Sequence, residues 1–465
     1  MNREKKLFSN FLTFMVGSVG SKLLQFLLVP FYTSILSTGE YGTVDLLQTV
    51  GMLIVPIFSL TIAESVFRYG MEKDYDNKEV FSIGIAYTLV GSGILVILGF
   101  ITSALFGNLV LIFLTIGYGI FNMLRSVTSQ FLRAIGKTKL FTVDNVLQTC
   151  LILGFNLLFL LVFKWGVVGY LLGYILGNLI SFLFGMYGCG LSSYLVKPSK
   201  DKGIKKEMLK YSVPLIPNTI CWWISSSTDK FMLSAIKGVA YNGIYTVAHK
   251  MPSIITIVVN VFIQAWQISA NEEFDNKDKK EFYSKIFRTL SFLSFFLASF
   301  LILFVKLEIR ILAPEKEYFP AWESTIVLII GIAFFTFAQF LGTLYTANKK
   351  TEMAFVTNLI AAVINVIGNA LLIPRYGVVG AAIATSFSYF CLWIIRVWNT
   401  KKIVKLTYDY LNLILCSIVL VFQGVVQLFE VKYWQLYGSI CLAIIILLNV
   451  SQVKGLLNFF IKRDV

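Results

Sequence analysis

Fourteen apolar stretches of membrane-spanning length follow one another along this 465-residue chain, and no other feature constrains its fold as strongly. An α-helix needs roughly 20 mostly apolar residues to cross the hydrocarbon core of a bilayer. The sequence therefore predicts an all-α membrane protein with 14 transmembrane helices. The predicted spans are 8–36, 43–68, 80–105, 109–133, 141–163, 167–191, 211–236, 240–268, 284–305, 320–347, 352–373, 377–398, 408–428 and 433–453.

The basic residues lie mostly on one side of these spans. The N-terminus, every second connection and the C-terminus together hold 29 of the 40 Lys and Arg residues, and the intervening connections hold seven. Cytoplasmic loops carry the positive excess, so both termini are predicted to face the cytoplasm. Four cations belong to no connection and lie within spans: Lys22, Arg125, Lys230 and Lys250.

Composition narrows the possible functions. With 57% apolar residues the helices leave no soluble catalytic domain, and no G-x-x-x-x-G-K-[ST] loop occurs, so the protein is predicted not to be an enzyme. The net charge of +15 lies in short juxtamembrane connections, where it meets anionic lipid headgroups rather than nucleic acid. The six cysteines have neither paired spacing nor neighbouring histidines, so no disulfide, zinc site or cofactor is expected.

Two segments in the first half of the chain resemble segments about 200 residues later. Lys164–Gly169 recurs as Arg375–Gly380 with the shared pattern Gly-Val-Val-Gly, and Ile35–Gly42 resembles Ile236–Gly243. Self-similarity at a nearly constant shift indicates a duplicated structural unit. A six-helix repeat returns the chain to its starting side, so the two copies share one orientation in the membrane.

The duplication predicts two six-helix lobes related by a pseudo-two-fold axis along the membrane normal, plus two C-terminal helices. The N-terminal lobe is predicted over 1–206, the C-terminal lobe over 207–406 and the two peripheral helices over 407–465. A translocation path is expected between the lobes, because rocking one lobe against the other exposes a central cavity to each side in turn.

Charged side chains within spans are the candidate functional residues. Each costs at least about 2.5 kcal/mol at the centre of a span on insertion scales, so it is expected to face protein or water rather than lipid. Lys22, for example, has Gln25 nearly one turn later on the same face of its helix. The predicted substrate-binding cations are Lys22, Arg125, Lys230 and Lys250, and the predicted mouth or polar lining of their cavity consists of Arg68, Arg133, Gln25, Asn122, Asn218 and Asp229.

The alternative is that each membrane cation pairs with a membrane carboxylate. Neighbours on a helix point about 100° apart, so Asp229 is not expected to pair with the adjacent Lys230, and Lys250 on the next helix is the alternative partner. The residues leave cavity function and structural pairing both open. The available carboxylates are Asp45, Glu64, Asp144 and Asp229.

Three residues are candidates for ion coupling: Glu64, Asp229 and His249. Glu64 precedes Arg68 by one turn, where an i, i+4 ion pair forms easily, and the alternative is that Glu64 exchanges a proton or sodium ion during transport. His249 is the single histidine of the chain, and a solvated histidine titrates near neutral pH.

Several segments spread along the chain carry a shared family pattern: Gly20–Phe26, Pro30–Ser37, Glu40–Gly42, Ser227–Phe231, Gly243–Pro252 and Ala265–Trp266. These segments resemble the bacterial polysaccharide or O-antigen flippases (Wzx-like) of the multidrug/oligosaccharidyl-lipid/polysaccharide (MOP) exporter superfamily. The resemblance covers both predicted lobes. Its motifs are degenerate and none is catalytic.

The resemblance implies a MATE-like fold and a function as a flippase in the bacterial cytoplasmic membrane. The implied substrate is a polyprenyl-pyrophosphate-linked oligosaccharide, which moves from the inner to the outer leaflet by alternating access through a cationic central cavity. A proton or sodium ion is the candidate coupling ion. Contacts with membrane lipids and with other polysaccharide-assembly proteins are expected.

The residue types suit that substrate, because a pyrophosphate needs cationic partners to leave the headgroup layer. Sugars need hydrogen-bonding and stacking surfaces. Side chains available for this purpose are Asn218, Trp222, Trp223, Gln264 and Trp266.

Three other functions compete with this interpretation. A flippase for lipid II, the peptidoglycan precursor, also needs a cationic cavity and often has fourteen helices. A multidrug exporter of the same superfamily would need an acidic, aromatic cavity, against which the four membrane cations argue. A membrane glycosyltransferase or ligase would need a larger extramembrane loop than this chain contains.

Overall fold

The computed structural model describes residue 26 and residues 28–72, 74–197, 203–272, 278–348 and 351–461. The regular secondary structure of these residues consists of helices, and they contain no β-strand. This confirms the predicted all-α class.

The first half of the chain forms nine helices within the described residues. A π-helical turn follows two of them, at Leu158–Val162 and at Phe184–Gly188. The helices are α1 (Val29–Thr33), α2 (Thr38–Phe58), α3 (Ile62–Met71), α4 (Asn77–Phe106), α5 (Leu109–Ala134), α6 (Thr138–Leu157), α7 (Gly166–Leu183), α8 (Gly203–Ser212) and α9 (Leu215–Lys237).

The second half adds eight helices, again counted over the part of the chain that the structure describes. They are α10 (Val239–Ala248), α11 (Lys250–Glu272), α12 (Lys279–Leu312), α13 (Ala321–Ala347), α14 (Thr351–Thr400), α15 (Tyr410–Leu428), α16 (Trp434–Leu448) and α17 (Val450–Ile461).

A reciprocal capping interaction starts α2. The hydroxyl oxygen of Ser37 accepts a hydrogen bond from the Glu40 amide at 3.3 Å, and the Glu40 carboxylate accepts one from the Ser37 amide at 3.0 Å. Two otherwise unpaired amides at the helix start are thereby satisfied. The Glu40 of the family-like segment thus has a local structural role.

Nine of the described helices are long and apolar enough to cross a membrane, or ten if the bent pair α10 and α11 counts as one span. The described part of α14 contains two predicted spans, 352–373 and 377–398, whereas most of span 8–36 lies outside the described residues. In place of span 433–453 the chain forms the shorter helix α16. The protein is a multi-pass membrane protein, and the number fourteen stays a prediction.

The two copies of the Gly-Val-Val-Gly pattern each turn a helical hairpin. Gly166 separates α6 from α7 with φ of +51°, and Gly377 breaks α14 with φ of +55°. Both glycines lie in the left-handed region, which costs an L side chain about 1–2 kcal/mol. The predicted duplication therefore has a counterpart in local backbone geometry.

The last glycine of each copy lets the hairpin helices approach closely. A Cβ atom at Gly169 would lie 3.0 Å from the Cβ of Phe159, and one at Gly380 would lie 2.4 Å from the carbonyl oxygen of Leu372. Any larger residue at Gly380 must therefore displace backbone. Close backbone approach through small residues is typical of helix pairs in membranes.

The chain divides into two compact units. One unit comprises Ile35–Thr228, and the other comprises the described residues up to Ser34 together with those from Asp229 onward. We call them the 35–228 unit and the 229–465 unit. This division falls later in the chain than the predicted boundary at 206/207, because α8 and α9 pack with the helices that precede them.

Two hydrogen bonds link α9 and α1 to the units that contain them. In the 35–228 unit, the indole N–H of Trp223 on α9 donates to the carbonyl oxygen of Thr49 on α2 at 2.7 Å. In the 229–465 unit, the Thr33 hydroxyl of α1 donates to the carbonyl oxygen of Leu312 on α12 at 2.9 Å. The predicted peripheral region 407–465 also packs on α12 within the 229–465 unit, through α15 and α16.

Candidate functional site

Asp229 is a buried carboxylate in α9, with 8% of its surface exposed. Its Oδ1 accepts a hydrogen bond from the Lys230 amide at 3.0 Å, and its Oδ2 accepts one from the Tyr245 hydroxyl at 2.6 Å. A hydrogen bond to an ionised acceptor is shorter and stronger than one between neutral groups. The carboxylate is therefore held in a fixed orientation between α9 and α10.

Hydrogen bonds continue from Tyr245 into the hairpin of α14. The Tyr245 hydroxyl lies 3.3 Å from the Thr385 hydroxyl, and the Asn365 amide donates to the same Thr385 oxygen at 3.1 Å. The Asn369 amide then donates to the side-chain oxygen of Asn365 at 3.0 Å. We call Asp229, Tyr245, Thr385, Asn365 and Asn369 the Asp229 polar chain.

The Asp229 polar chain offers oxygen atoms in a buried environment. All five side chains are at most 8% exposed, and Tyr245 and Asn369 have no exposed surface. Among the described residues no donor reaches the side-chain oxygen of Asn369. Because burying an unsatisfied polar atom is costly, such an oxygen suits a bound cation. Hard cations prefer carboxylate and amide oxygens, and a carboxylate also takes a proton.

His249 adjoins the Asp229 polar chain. Its imidazole makes an edge-to-face contact with the Tyr245 ring at 4.5 Å between centroids. His249 lies at the 44° bend between α10 and α11, three residues before Pro252. The structure thus brings together two of the three predicted ion-coupling residues, Asp229 and His249.

The third ion-coupling candidate, Glu64, lies elsewhere and is exposed in α3 of the 35–228 unit. The predicted ion pair between Glu64 and Arg68 is wrong, because Arg68 instead meets Glu72 one turn later, with 3.5 Å between Nε and Oε1. Both positions are i ± 4 from the arginine, so the sequence spacing did not distinguish them. Arg133, the other predicted mouth cation, lies over the Phe67 ring at 4.4 Å.

Arg125 lies in a network that joins three helices of the 35–228 unit. Its Nη2 lies 3.4 Å from Oδ2 of Asp144 and donates to Oδ1 of Asn145 at 2.7 Å. Its Nε donates to the Ser181 hydroxyl at 2.9 Å, and that hydroxyl donates to Oδ1 of Asp144 at 2.5 Å. We call these four residues, from α5, α6 and α7, the Arg125 clamp.

In the Arg125 clamp a membrane cation pairs with a membrane carboxylate, which is one of the two alternatives that the sequence left open. The side chain of Arg125 is 13% exposed and that of Asp144 is 2% exposed, so the pair is largely shielded from water. A buried charge needs both a counter-charge and hydrogen bonds, and the clamp supplies both. In this geometry Arg125 holds helices together with donors that a substrate phosphate would otherwise need.

A second arginine clamp occurs in the 229–465 unit at a residue to which the sequence assigned no role. Arg396 is 5% exposed, and its Nη1 donates to the carbonyl oxygen of Ala338 at 2.6 Å. Its Nη2 donates to Oδ1 of Asn358 at 2.9 Å, and its Nε donates to the Thr357 hydroxyl at 3.2 Å. Among the described residues no carboxylate pairs with it. We call these four residues the Arg396 clamp.

The asparagines of the two clamps occupy equivalent helix positions, but the arginines come from different helices. Asn145 and Asn358 each lie seven residues after the start of the helix that leads into a glycine hairpin. Arg125 comes from the helix before its hairpin, whereas Arg396 comes from the second helix of its hairpin. Aligning the two halves of the sequence therefore cannot pair the arginines. The equivalent positions of Asn145 and Asn358 are the sequence feature that could have indicated a second arginine site.

Replacing Arg396 with leucine is expected to lower the free energy of unfolding by about 1–3 kcal/mol, because the oxygens of Asn358 and Ala338 lose their buried donor. No carboxylate would be left behind, so the loss should be smaller than at Arg125. Chemical denaturation of the purified protein in detergent measures it. Arg375→Leu, which changes an exposed arginine of the same helix, is the matched control. Equal losses in both variants would contradict the clamp.

The other predicted cavity residues are placed as follows. Lys22 and Gln25 lie outside the described residues, and only the backbone of Asn218 is described, within α9. Lys230 and Lys250 are half-buried. Asp229 and Lys250, whose side chains are both described, form no ion pair, because the carboxylate accepts the Tyr245 hydroxyl instead.

Two of the remaining polar and aromatic candidates have described side chains. Asn122 is half-buried and hydrogen-bonds to Tyr118 on the same helix. Trp266 is fully buried, donates to the Thr343 hydroxyl at 2.9 Å and stacks on Phe340. The side chains of Trp222 and Gln264 lie outside the described residues.

A family model and a curated relative both associate this chain with polysaccharide biosynthesis proteins. Residues 7–267 match the family described as "Polysaccharide biosynthesis protein". The capsular polysaccharide biosynthesis protein CapF of Staphylococcus aureus is 26% identical over 204 residues, which cover 43% of this chain and 50% of CapF. Uncharacterized membrane protein MJ1068 of Methanocaldococcus jannaschii is 31% identical over 170 residues, 32% of each chain. The chain thus spans half or less of the length of these two relatives.

Solved structures with the same fold cover far more of the chain. Lipid II flippase MurJ in an inward closed conformation is similar with a TM-score of 0.72, over 96% of this chain and 100% of MurJ, at 15% identity. An inward-facing multidrug resistance MATE transporter of the MOP superfamily is similar with a TM-score of 0.70, over 85% of this chain and 97% of the transporter, at 14% identity. At these identities the likeness shows the fold, which is that of the MOP exporters.

Proposed function

Because this chain belongs to the polysaccharide biosynthesis protein family, we propose that it is a flippase for polyprenyl-pyrophosphate-linked oligosaccharide in the bacterial cytoplasmic membrane. The observation that carries the proposal is the combination of this family with a MOP exporter fold over almost the whole chain. The lipid-linked glycan moves from the inner to the outer leaflet. The protein acts by alternating access, with both termini in the cytoplasm.

The pyrophosphate of the substrate requires cationic partners. The donors of Arg125 and Arg396 are directed at neighbouring helices in this structure. Lys22, Lys230 and Lys250 are the other cations that we propose for the pyrophosphate. A lysine ammonium binds phosphate as a compact point charge and needs no planar geometry.

Energy for transport comes, in this proposal, from a proton or sodium ion that is carried across the membrane and exchanged at Asp229. A neutralised carboxylate is less costly in a membrane protein than a charged one. Loading Asp229 changes the hydrogen bond from Tyr245, and through Tyr245 the contact with Thr385 in the α14 hairpin. The Asp229 polar chain thereby connects the ion to two helices of the same unit.

Purified protein in lipid vesicles is expected to move a fluorescent polyprenyl-pyrophosphate-linked oligosaccharide between leaflets. The fraction of label that a membrane-impermeant quencher reaches should rise with time above that of protein-free vesicles. An unchanged fraction with folded protein would contradict the proposed function.

A lipid II flippase is the second candidate function, and the full-length likeness to MurJ favours it. The same vesicles with labelled lipid II distinguish the two candidates. Faster movement of lipid II than of the oligosaccharide would select the second. A multidrug exporter is less favoured, because the four cations in the predicted spans would repel the organic cations that such an exporter extrudes.

A further inference from the structure

Helix α8 is held firmly against α3 in the 35–228 unit. The Thr61 hydroxyl donates to the carbonyl oxygen of Ser212 at 2.6 Å, and the Ser65 hydroxyl donates to that of Met208 at 2.6 Å. The Met208 side chain is fully buried in the apolar core of the unit. Two hydrogen bonds one helical turn apart and one buried anchor therefore fix the position of α8.

An open cleft of about 620 Å³ lies between α8, the end of α3 and the connection that follows α3. Its volume is within the roughly 300–1,000 Å³ typical of small-ligand sites. Because both helices are fixed to each other, the cleft is preformed. The residues that line it are aromatic or charged, and none of them has a role in the clamps or in the Asp229 polar chain.

Three tyrosines form one part of the lining. The Tyr69 ring meets Tyr75 edge to face at 5.0 Å between centroids, and it meets Tyr211 edge to face at 6.3 Å. The Arg68 guanidinium lies 5.2 Å from the centre of the Tyr211 ring. Aromatic rings offer apolar faces with polar edges, which suits a ligand with both kinds of surface.

Two carboxylates and two cations form the rest of the lining. Arg68 pairs with Glu72 across 3.5 Å, and the Tyr75 hydroxyl donates to Oε2 of Glu207 at 2.8 Å. This hydrogen bond raises the pKa of Tyr75 to about 12. Lys210 is the second cation. The four charges cancel, so the cleft selects neither a polyanion nor a cation.

A neutral, polyhydroxylated ligand fits this lining best. Carboxylates accept hydrogen bonds from hydroxyl groups, arginine and lysine donate to them, and the tyrosine rings contact the apolar faces of a sugar. A pyrophosphate or a nucleic acid would meet two carboxylates and no excess positive charge. The chemistry of the lining therefore points to a saccharide.

The cleft also lies where such a ligand would arrive. It adjoins the connection after the second predicted span and the connection before the seventh, both of which belong to the Lys- and Arg-rich side. That side is predicted to be cytoplasmic, and a lipid-linked oligosaccharide is presented there before translocation.

We propose that the cleft between α3 and α8 binds the saccharide headgroup of the lipid-linked substrate at the cytoplasmic face before the substrate is translocated. This proposal rests on the proposed function. The cleft contributes to the choice of glycan, whereas the pyrophosphate is held elsewhere.

Binding of the free oligosaccharide to the purified full-length protein tests the proposal. The probe is the reducing oligosaccharide released by mild acid from the lipid-linked pool of the source cells, and inorganic pyrophosphate is the second probe. Loss of a ring at a binding hot spot typically costs more than about 1 kcal/mol, so Tyr211→Ala should weaken oligosaccharide binding by at least about fivefold. Pyrophosphate binding should stay the same.

Two further variants separate binding from folding. Glu207→Gln removes an exposed charge and should also weaken oligosaccharide binding, whereas Tyr187→Ala removes an exposed tyrosine that does not line the cleft and should leave binding unchanged. Thermal unfolding of each variant checks the fold. Equal oligosaccharide affinity in wild type, Tyr211→Ala and Glu207→Gln would overturn the proposal, as would competition by pyrophosphate.

Vesicle transport distinguishes failure of this proposal from failure of the proposed function. If wild type moves the lipid-linked oligosaccharide and both cleft variants do so at the same rate at subsaturating substrate, the cleft assignment is wrong and the flippase function stands. If wild type moves none, the flippase function is wrong and the cleft assignment falls with it. A slower rate in the cleft variants, with Tyr187→Ala unchanged, supports both.

Discussion

Arg125→Leu is expected to lower the free energy of unfolding by about 3–5 kcal/mol, which is the cost of leaving a buried charge without its partner. The charge left behind is Asp144, whose side chain is 2% exposed and which accepts a hydrogen bond from the Ser181 hydroxyl. The loss should appear as a lower denaturant midpoint for the purified protein in detergent. Surface glycan production should fall because less folded protein accumulates.

A double variant separates the buried charge from other effects. Arg125→Leu combined with Asp144→Leu should regain most of the lost stability, because neither charge is then buried alone. Lys139→Leu, an exposed cation on α6, is the matched control and should change stability little. If Arg125→Leu folds with unchanged stability but no longer supports glycan export, the clamp interpretation fails and Arg125 belongs to the substrate cavity.

Asp229→Asn is expected to remove the response of transport to an ion gradient. The stimulated rate should fall to the rate that the same vesicles show without a gradient, because the exchange site for the ion is lost. The amide keeps the size of the side chain but can neither carry a proton nor neutralise a sodium ion. Vesicles with an imposed proton or sodium gradient and labelled lipid-linked oligosaccharide provide the measurement.

Three further variants make this experiment specific. Tyr245→Phe retains the ring contact with His249 but removes the donor to Asp229, so its gradient response should be intermediate. Glu64→Gln changes an exposed carboxylate of the 35–228 unit and should respond like wild type. His249→Gln tests the imidazole directly. A full gradient response in Asp229→Asn would exclude exchange at this residue without affecting the flippase function.

Local features of the chain were predictable from the sequence. Spans such as 80–105 and 109–133 correspond to α4 and α5 because hydropathy acts on each segment separately. The Gly166 and Gly377 turns were predictable because a left-handed backbone favours glycine wherever it occurs. The burial of Asp229 was predictable as well, because a charged side chain in a membrane span is expected to face protein or water rather than lipid.

Side-chain partners were much less predictable. Asp144 and Ser181 are 19 and 56 residues from Arg125 in the chain, and only helix packing brings them to one guanidinium. Arg396, which lies near the end of the predicted span 377–398, is buried by α13 and the α14 hairpin. Likewise, Glu64 and Glu72 each lie four residues from Arg68 in the sequence, and in the structure Arg68 pairs with Glu72.

The sequence by itself determined that this chain crosses the membrane many times, contains a repeated pattern and resembles one family of membrane proteins, because these properties follow from hydropathy and from short local patterns. Only the tertiary structure decided which membrane charges hold helices together and which are joined to a buried polar chain. The reason is that the energy of a buried charge depends on what surrounds it in space, and neighbours in space are distant in the chain.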